Sequence, residues 1–236
     1  CIRDRDYLDH LLLASLLTGE IRYTDKAKEY ILNWITAHPT IVSEPSTRTL
    51  DTGIRVMNWM EALPYLSMLH VLNEDELTRI TDSMLAQMQY LKENYLPKYK
   101  TSNWGSIQTC AIVSVLPFLR ADFLSDPLYQ WALDEMTLQF SIQVYPDGMH
   151  WEQSTMYHIE VLNYSMKAVH YMGLHLQPCP SAVKEQVYAL AKALAGQLTP
   201  SGEIETFGDS DRVCARDVLS RAALLFDDPT LSLIHI

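Results

Sequence analysis

Glycine is scarce in this chain, at 8 of 236 residues, and long apolar runs are missing. The longest, Leu11 to Leu17, is broken by Ser15 and stops at Thr18. That is well short of the roughly 20 residues of a membrane span, so no membrane partner is expected. Basic residues are also few: 18 Lys and Arg stand against 29 Asp and Glu, a net charge of −11. A nucleic-acid binder ordinarily shows a basic face, and none is expected here. The cysteines Cys1, Cys110, Cys179 and Cys214 form no CxxC pair. A zinc site or disulfide framework is therefore not expected, and free buried thiols are. No stretch alternates well enough to argue for a sheet. No secretory leader is recognisable, and the first residue is Cys1 rather than Met.

What is present is an ordinary globular balance. Hydrophobic residues make up 48% and charged residues 20%, which excludes a disordered tail and supplies apolar surface for a core. The length suits one large domain or two small ones. Ten methionines beside many Leu and Ala favour helix.

Periodicity predicts nine helices. The first runs from Asp6 to Leu17 and ends at Gly19; the second runs to about Ala37, capped by Thr24 and stopped by Pro39. The third covers Leu50 to Met68, bent or split at Pro64. The fourth reaches about Tyr95, with Asn73 and Glu76 forming a capping box. The fifth covers Asn103 to Phe118. The sixth is capped by Ser125, with Asp126 and Pro127 in its first turn. Glu152 to Met172, Ser181 to Gln197 and Asp211 to Phe226 complete the set. The domain is expected to span 1–230. The final Leu231-Ser-Leu-Ile-His-Ile236 reads as a non-native tail, since one frame of a common sequencing adapter encodes it.

The segments before helices three, five, seven and nine differ from the other connections. They read Leu50-Asp-Thr-Gly-Ile-Arg55, Ser102-Asn-Trp-Gly105, Asp147-Gly-Met-His-Trp-Glu152 and Phe207-Gly-Asp-Ser-Asp211. Arg55, Asn103, Tyr157 and Asp209 follow one another at 48, 54 and 52 residues, a two-helix repeat. In an up-and-down arrangement these helices would start at one end, and their N-termini would favour an anionic ligand there. A ring of such hairpins is an α/α toroid; an α-solenoid is the other architecture that fits.

The richest of these segments continues to Tyr157-His158, a phenol and an imidazole able to give and take protons. Either could equally be core, Tyr157 as a half-buried aromatic and His158 as a satisfied histidine. Ser154 and His158 share a helix face. Asn103 could donate to a carboxylate or cap helix five. Trp59, Trp104 and Trp151 lie beside the motifs and suit sugar stacking as well as packing. Arg55 could hold an anion or pair with Asp51. Asp209 and Asp211 could be metal ligands, general acids or helix caps.

The string Asp147-Gly148…Glu152-Gln153-Ser154…Tyr157-His158 resembles the signature of the heparinase II/III family of polysaccharide lyases. Leu50-Asp-Thr-Gly-Ile-Arg55…Asn58-Trp59, Asn103-Trp104 and Phe207-Gly-Asp-Ser-Asp211 are similar to that family's other blocks, in order, over about residues 5–226. The resemblance implies an all-α, incomplete α/α toroid, here without the family's C-terminal β-sandwich. It implies β-elimination on an acidic, uronic-acid polysaccharide, and a bacterial, periplasmic or secreted setting. Asn103 would neutralise the substrate carboxylate. Tyr157 would be the acid and an alternative base, the other base being a His of the sandwich. His158 and Arg55 would position sugar or tyrosine, and Trp59, Trp104, Trp151 and Glu152 would line the substrate site. No metal or cofactor is implied within this chain; a structural metal belongs to the sandwich of some relatives. Two other readings fit the residues. One is a toroidal glycoside hydrolase using Asp147 with Glu152 or Asp209; the other is a non-catalytic sugar-binding remnant. Few basic residues flank the motifs, which favours a lightly sulfated or unsulfated polymer.

Overall fold

The structure is a computed structural model that describes residues 7–199 and 203–232. Cys1, Asp6 and residues 233–236 of the expected tail lie outside them. Leu231, the first residue of that tail, is buried at 3% exposure and closes the turn Pro229–Leu231. Among the described residues there are nine α-helices and no extended strands. Three isolated antiparallel bridges join Val144 to His150, Leu198 to Ile204 and Glu203 to Cys214. No described helix is long and apolar enough to cross a membrane.

The chain divides into two compact units, residues 1–95 with 115–123, and residues 96–114 with 124–236. The first holds α1 (Tyr7–Thr18), α2 (Arg22–Ala37), α3 (Thr49–Met68) and α4 (Glu74–Glu93). α3 is its axis, packing on α1, α2 and α4. Every residue from Thr49 to Met60 is buried. The helix runs unbroken through Pro64, which is exposed. A proline inside a helix costs about 3 kcal/mol. Burying side chains such as Ile54, Met57, Met60 and Leu66 returns roughly 1.5–3 kcal/mol each, which outweighs that cost.

Of the helix starts, the Asn73 capping box forms as expected. Asn73 Oδ1 accepts from the Glu76 N–H at 2.8 Å, and Glu76 Oε2 accepts from the Asn73 N–H at 3.0 Å. Thr24 does not cap α2. It sits in the first turn, and its hydroxyl donates back to the Ile21 carbonyl at 2.8 Å.

The second unit holds the start of α5 (Asn103–Leu119), then α6 (Pro127–Gln143), α7 (Thr155–Leu174), α8 (Ser181–Gly196) and α9 (Arg216–Phe226). α8 packs on α6, α7 and α9, and α6 also packs on the turn Pro97–Thr101. Asp126, not Ser125, caps α6, its Oδ1 accepting from the Leu128 N–H at 2.8 Å. α7 begins three residues later than expected and runs through Gly173. α9 begins at Arg216, because residues 203–214 are held by bridges and by contacts to the start of α7 rather than by helical bonds. Asp211 therefore caps nothing in α9. Cys110 is buried, Cys179 half-buried and Cys214 exposed, and all three are free. Burial pushes the Cys110 and Cys179 thiols up, Cys179 to about 11.

Candidate active site

Three of the four unusual segments meet inside the second unit. Ser102 caps α5, its Oγ accepting from the Trp104 N–H at 3.2 Å. That leaves the Asn103 side chain for another partner. The Asn103 backbone N–H and its Nδ2 both donate to Glu152 Oε2, at 3.0 and 2.8 Å. Gly105 makes this placement possible: a Cβ there would lie 1.9 Å from the Tyr99 carbonyl oxygen, so only glycine lets α5 start against the Pro97–Thr101 turn.

The Phe207–Asp211 segment is laced to the start of α7. Ser154 Oγ caps the helix, accepting from the Tyr157 N–H at 3.3 Å, and lies 2.9 Å from both the Asp209 carbonyl and Ser210 Oγ. Ser210 Oγ accepts from the Met156 N–H at 3.0 Å. Thr155 Oγ1 donates to the Glu205 carbonyl at 3.0 Å and accepts from the Phe207 N–H at 3.2 Å. Gly208 has φ +64°, and a Cβ on it would meet the Gln153 carbonyl oxygen at 2.8 Å. These bonds deliver Asp209 to Tyr157, whose hydroxyl donates to Asp209 Oδ2 at 2.5 Å. The bond to Asp209 raises the phenol's pKa above its ordinary value; partial burial and the charges of Asp209 and Glu152 add to this. Tyr157 therefore holds its proton, and does so half-buried at the edge of the unit.

His158 is a core residue rather than a site residue. It is 1% exposed, its Nε2 lies 2.9 Å from the Leu190 carbonyl, and its Nδ1 accepts from the His150 N–H at 3.3 Å. Both nitrogens are committed, and burial lowers its pKa. His150, which the sequence alone did not single out, is fully buried at 0% exposure between Gln143 and Glu152. Burial, with His158 beside it, lowers its pKa to about 3. The polar block Asp147–Glu152 that contains both His150 and Glu152 was the available signal; their partner Gln143 had none.

Arg55 and Trp59 belong to the first unit, and neither offers a surface. Arg55 is 2% exposed. It donates to Gln87 Oε1 at 3.0 Å and to the Ser46 carbonyl at 2.7 Å, and lies 4.1 Å over the Trp34 ring. Trp59 is 1% exposed and packs edge-on to Trp34. An enclosed guanidinium and an enclosed indole cannot meet a sugar, so both are structural here. Trp104 is half-buried and stacks on Tyr99 with ring centroids 6.1 Å apart. Trp151 is 38% exposed and remains able to stack. Beside Glu152 lies a cleft of about 820 Å³ lined by Tyr145, Asp147, Met149, Thr155 and Phe207 among others. Asp147 Oδ1 closes the turn by accepting from the Met149 N–H at 3.0 Å.

The family description Heparinase II/III N-terminus matches residues 6–229. No curated protein matches the chain. Among solved structures, a heparinase III is similar over 94% of this chain and 36% of its own, at 17% identity and a TM-score of 0.66. The heparan sulfate lyase HepC from Pedobacter heparinus is similar over the same shares, at 20% identity and a TM-score of 0.63. At these identities the likeness is one of fold. It agrees with the fold expected from the sequence, all-α and of the incomplete α/α toroid class. The chain spans little more than a third of each of these structures.

Proposed function

The chain belongs to the heparinase II/III family, and from that premise we propose that it is the helical part of a polysaccharide lyase acting by β-elimination on a uronic-acid polysaccharide of the glycosaminoglycan class. The names of the solved relatives, heparinase III and heparan sulfate lyase, support that substrate class.

β-Elimination has three requirements. The C6 carboxylate must be neutralised so that charge can build at C5, a base must take the C5 proton, and an acid must protonate the departing O4. Residues of this chain supply two of them. Asn103 sits at the start of α5, 6% exposed and with one amide hydrogen on Glu152; in this reading its other amide hydrogen bonds the substrate carboxylate. Tyr157 supplies the acid. The observation that carries the reading is its hydroxyl bonded to Asp209, which keeps the proton on the phenol until a stronger acceptor, the leaving oxygen, arrives. Trp151, 38% exposed and next in sequence to the cleft residue Glu152, would stack on a sugar face.

Released product tests this. The full-length protein is incubated with glucuronic-acid and iduronic-acid glycosaminoglycans and with alginate. The expected product carries an unsaturated uronate at its non-reducing end, seen by ultraviolet absorbance and by mass. New reducing ends without unsaturation would make the protein a hydrolase. Binding with no product at all would make it a sugar-binding remnant.

A further inference from the structure

Four non-glycine residues among those described have positive φ: His70, Gln153, Leu176 and Asp227. Three of them close helices. His70 and Leu176 lie two residues past α3 and α7, and Asp227 caps α9, places where a left-handed residue is an ordinary helix ending. Gln153, at φ +52°, ends no helix and lies one residue before the cap of α7. Its conformation is imposed from two sides. Its N–H donates to the His150 carbonyl at 3.0 Å and closes the turn behind it. Its carbonyl oxygen lies against Gly208, close enough that a Cβ there would come within 2.8 Å of it. Such a position favours glycine, since a side chain strains a left-handed backbone. Here it carries a long amide that is exposed and, among the described residues, makes no hydrogen bond. The described fold gives that side chain nothing to offset the strain.

Gln153 lines the cleft beside Glu152. That cleft reaches from Glu152, which accepts from Asn103, to Gly208, which precedes Asp209, so it adjoins the partners of Asn103 and of Tyr157. Its walls include Tyr145, 40% exposed, and Phe207, 58% exposed, open aromatic rings of the kind that pack on apolar ligand faces. Its charged groups are Asp147 and Glu152, and no Lys, Arg or His is among its described lining residues. The described hydrogen bonds engage one oxygen of each carboxylate, from the Met149 N–H and from Asn103, which leaves the other oxygen as an acceptor for hydroxyls. The C–H faces and hydroxyls of an uncharged sugar suit this lining. A second uronate there would meet two like charges and no cation.

We propose that this cleft is the subsite for an uncharged sugar next to the uronate in the chain, and that Gln153 is its specificity-determining residue, with its amide hydrogen-bonded to that sugar's polar substituents. This rests on the lyase reading, which puts the uronate carboxylate at Asn103. The left-handed backbone fixes where the Gln153 side chain leaves the loop, so the strain serves recognition rather than folding. Gln153 touches no reacting atom. Its bond to the neighbouring sugar is the same before and during elimination, so losing it raises KM and leaves kcat nearly unchanged. One neutral hydrogen bond corresponds to about two- to tenfold in affinity.

The test uses the full-length protein and two oligosaccharides, one alternating glucuronate with N-acetylglucosamine and one of glucuronate alone. Gln153→Ala removes the amide and keeps the left-handed strain; Gln153→Gly removes both. On the alternating oligosaccharide, rates of unsaturated-product formation should show KM raised about two- to tenfold in both variants, with kcat within about twofold of the parent. The alanine variant should melt with the parent and the glycine variant no lower, because the amide bonds nothing in the fold. Binding is measured separately by calorimetry in a Tyr157→Phe background, which needs no turnover. There the all-glucuronate oligosaccharide should bind more weakly than the alternating one, or not at all, and no differently when Gln153 is replaced. An unchanged KM in the variants, equal affinity for the two oligosaccharides, or an alanine variant that melts several degrees below the parent overturns the inference. Unsaturated product with KM unmoved by Gln153→Gly refutes the subsite and leaves the lyase reading. Binding weakened by Gln153→Gly with no unsaturated product from the parent keeps the subsite and refutes the lyase reading.

Discussion

Replacing Tyr157 with Phe deletes one hydroxyl and leaves the ring. The stability change should be small. The hydroxyl donates to Asp209 at 2.5 Å, a net contribution of about 0.5–1.5 kcal/mol for an ordinary bond and somewhat more for a charged acceptor. Asp209 is exposed, so its carboxylate rehydrates once the phenol is gone, and the loss stays toward the low end. At about 2–4 °C of melting temperature per kcal/mol for a chain of this size, the shift should be only a few degrees. Catalysis should suffer far more, by about 10²–10⁴ in kcat, since the variant has no acid for the leaving oxygen. Asp209→Asn separates the charge from the geometry, because an amide oxygen can still accept from the phenol. Tyr157 would then ionise closer to its ordinary value. The raised pKa keeps the phenol protonated to higher pH, so removing its cause must move the alkaline limb of the kcat profile to lower pH. The assay is the initial rate of unsaturated-uronate formation across pH for the parent and both variants, with thermal melts. A Tyr157→Phe protein retaining more than about a tenth of kcat would show that this phenol is not the acid. An alkaline limb unmoved in Asp209→Asn would show that the Asp209 bond does not govern its proton.

Asn103→Asp places a second carboxylate 2.8 Å from Glu152. One of the two must then hold a proton, so its folded pKa is raised; the stability is present at low pH and lost as pH rises. The melting temperature should fall more at neutral than at acid pH, and a pH-independent melt would refute the contact. Gly105→Ala drives a Cβ into the Tyr99 carbonyl region and should destabilise the protein by at least about 1–3 kcal/mol, read by denaturant midpoint. Ser154→Ala removes the α7 cap and the link to Asp209 and Ser210. It should cost about 0.5–2 kcal/mol and lower kcat as well, whereas a cap without a positioning role would affect only the melt.

The helices were legible wherever their cause is local. The Asn73–Glu76 box forms because its partners are three residues apart and meet in one turn. Failures follow from competition that no window shows. Thr24 has a cap's chemistry but finds the Ile21 carbonyl instead, and Asp126 wins over Ser125 by one residue. α9 loses five expected residues because Thr155 and Ser154, some 50 positions earlier, hold the backbone of residues 205–210. The residue types of the candidate site were equally legible, since unusual polar blocks at regular spacing stand out from helical periodicity. Their partners were not. Asn103 could have been a cap until Glu152 was seen to accept both of its N–H groups. His158 and Arg55 carry the chemistry of a site, but the fold encloses each at 1% and 2% exposure. The helical class, and the polar blocks that interrupt it, depend on periodicity and residue type and so could be read from the chain alone. That Tyr157 bonds Asp209, that His150 faces Glu152 and that His158 is core could not be read so, because these follow from burial and from contacts that the packed helices and loops create.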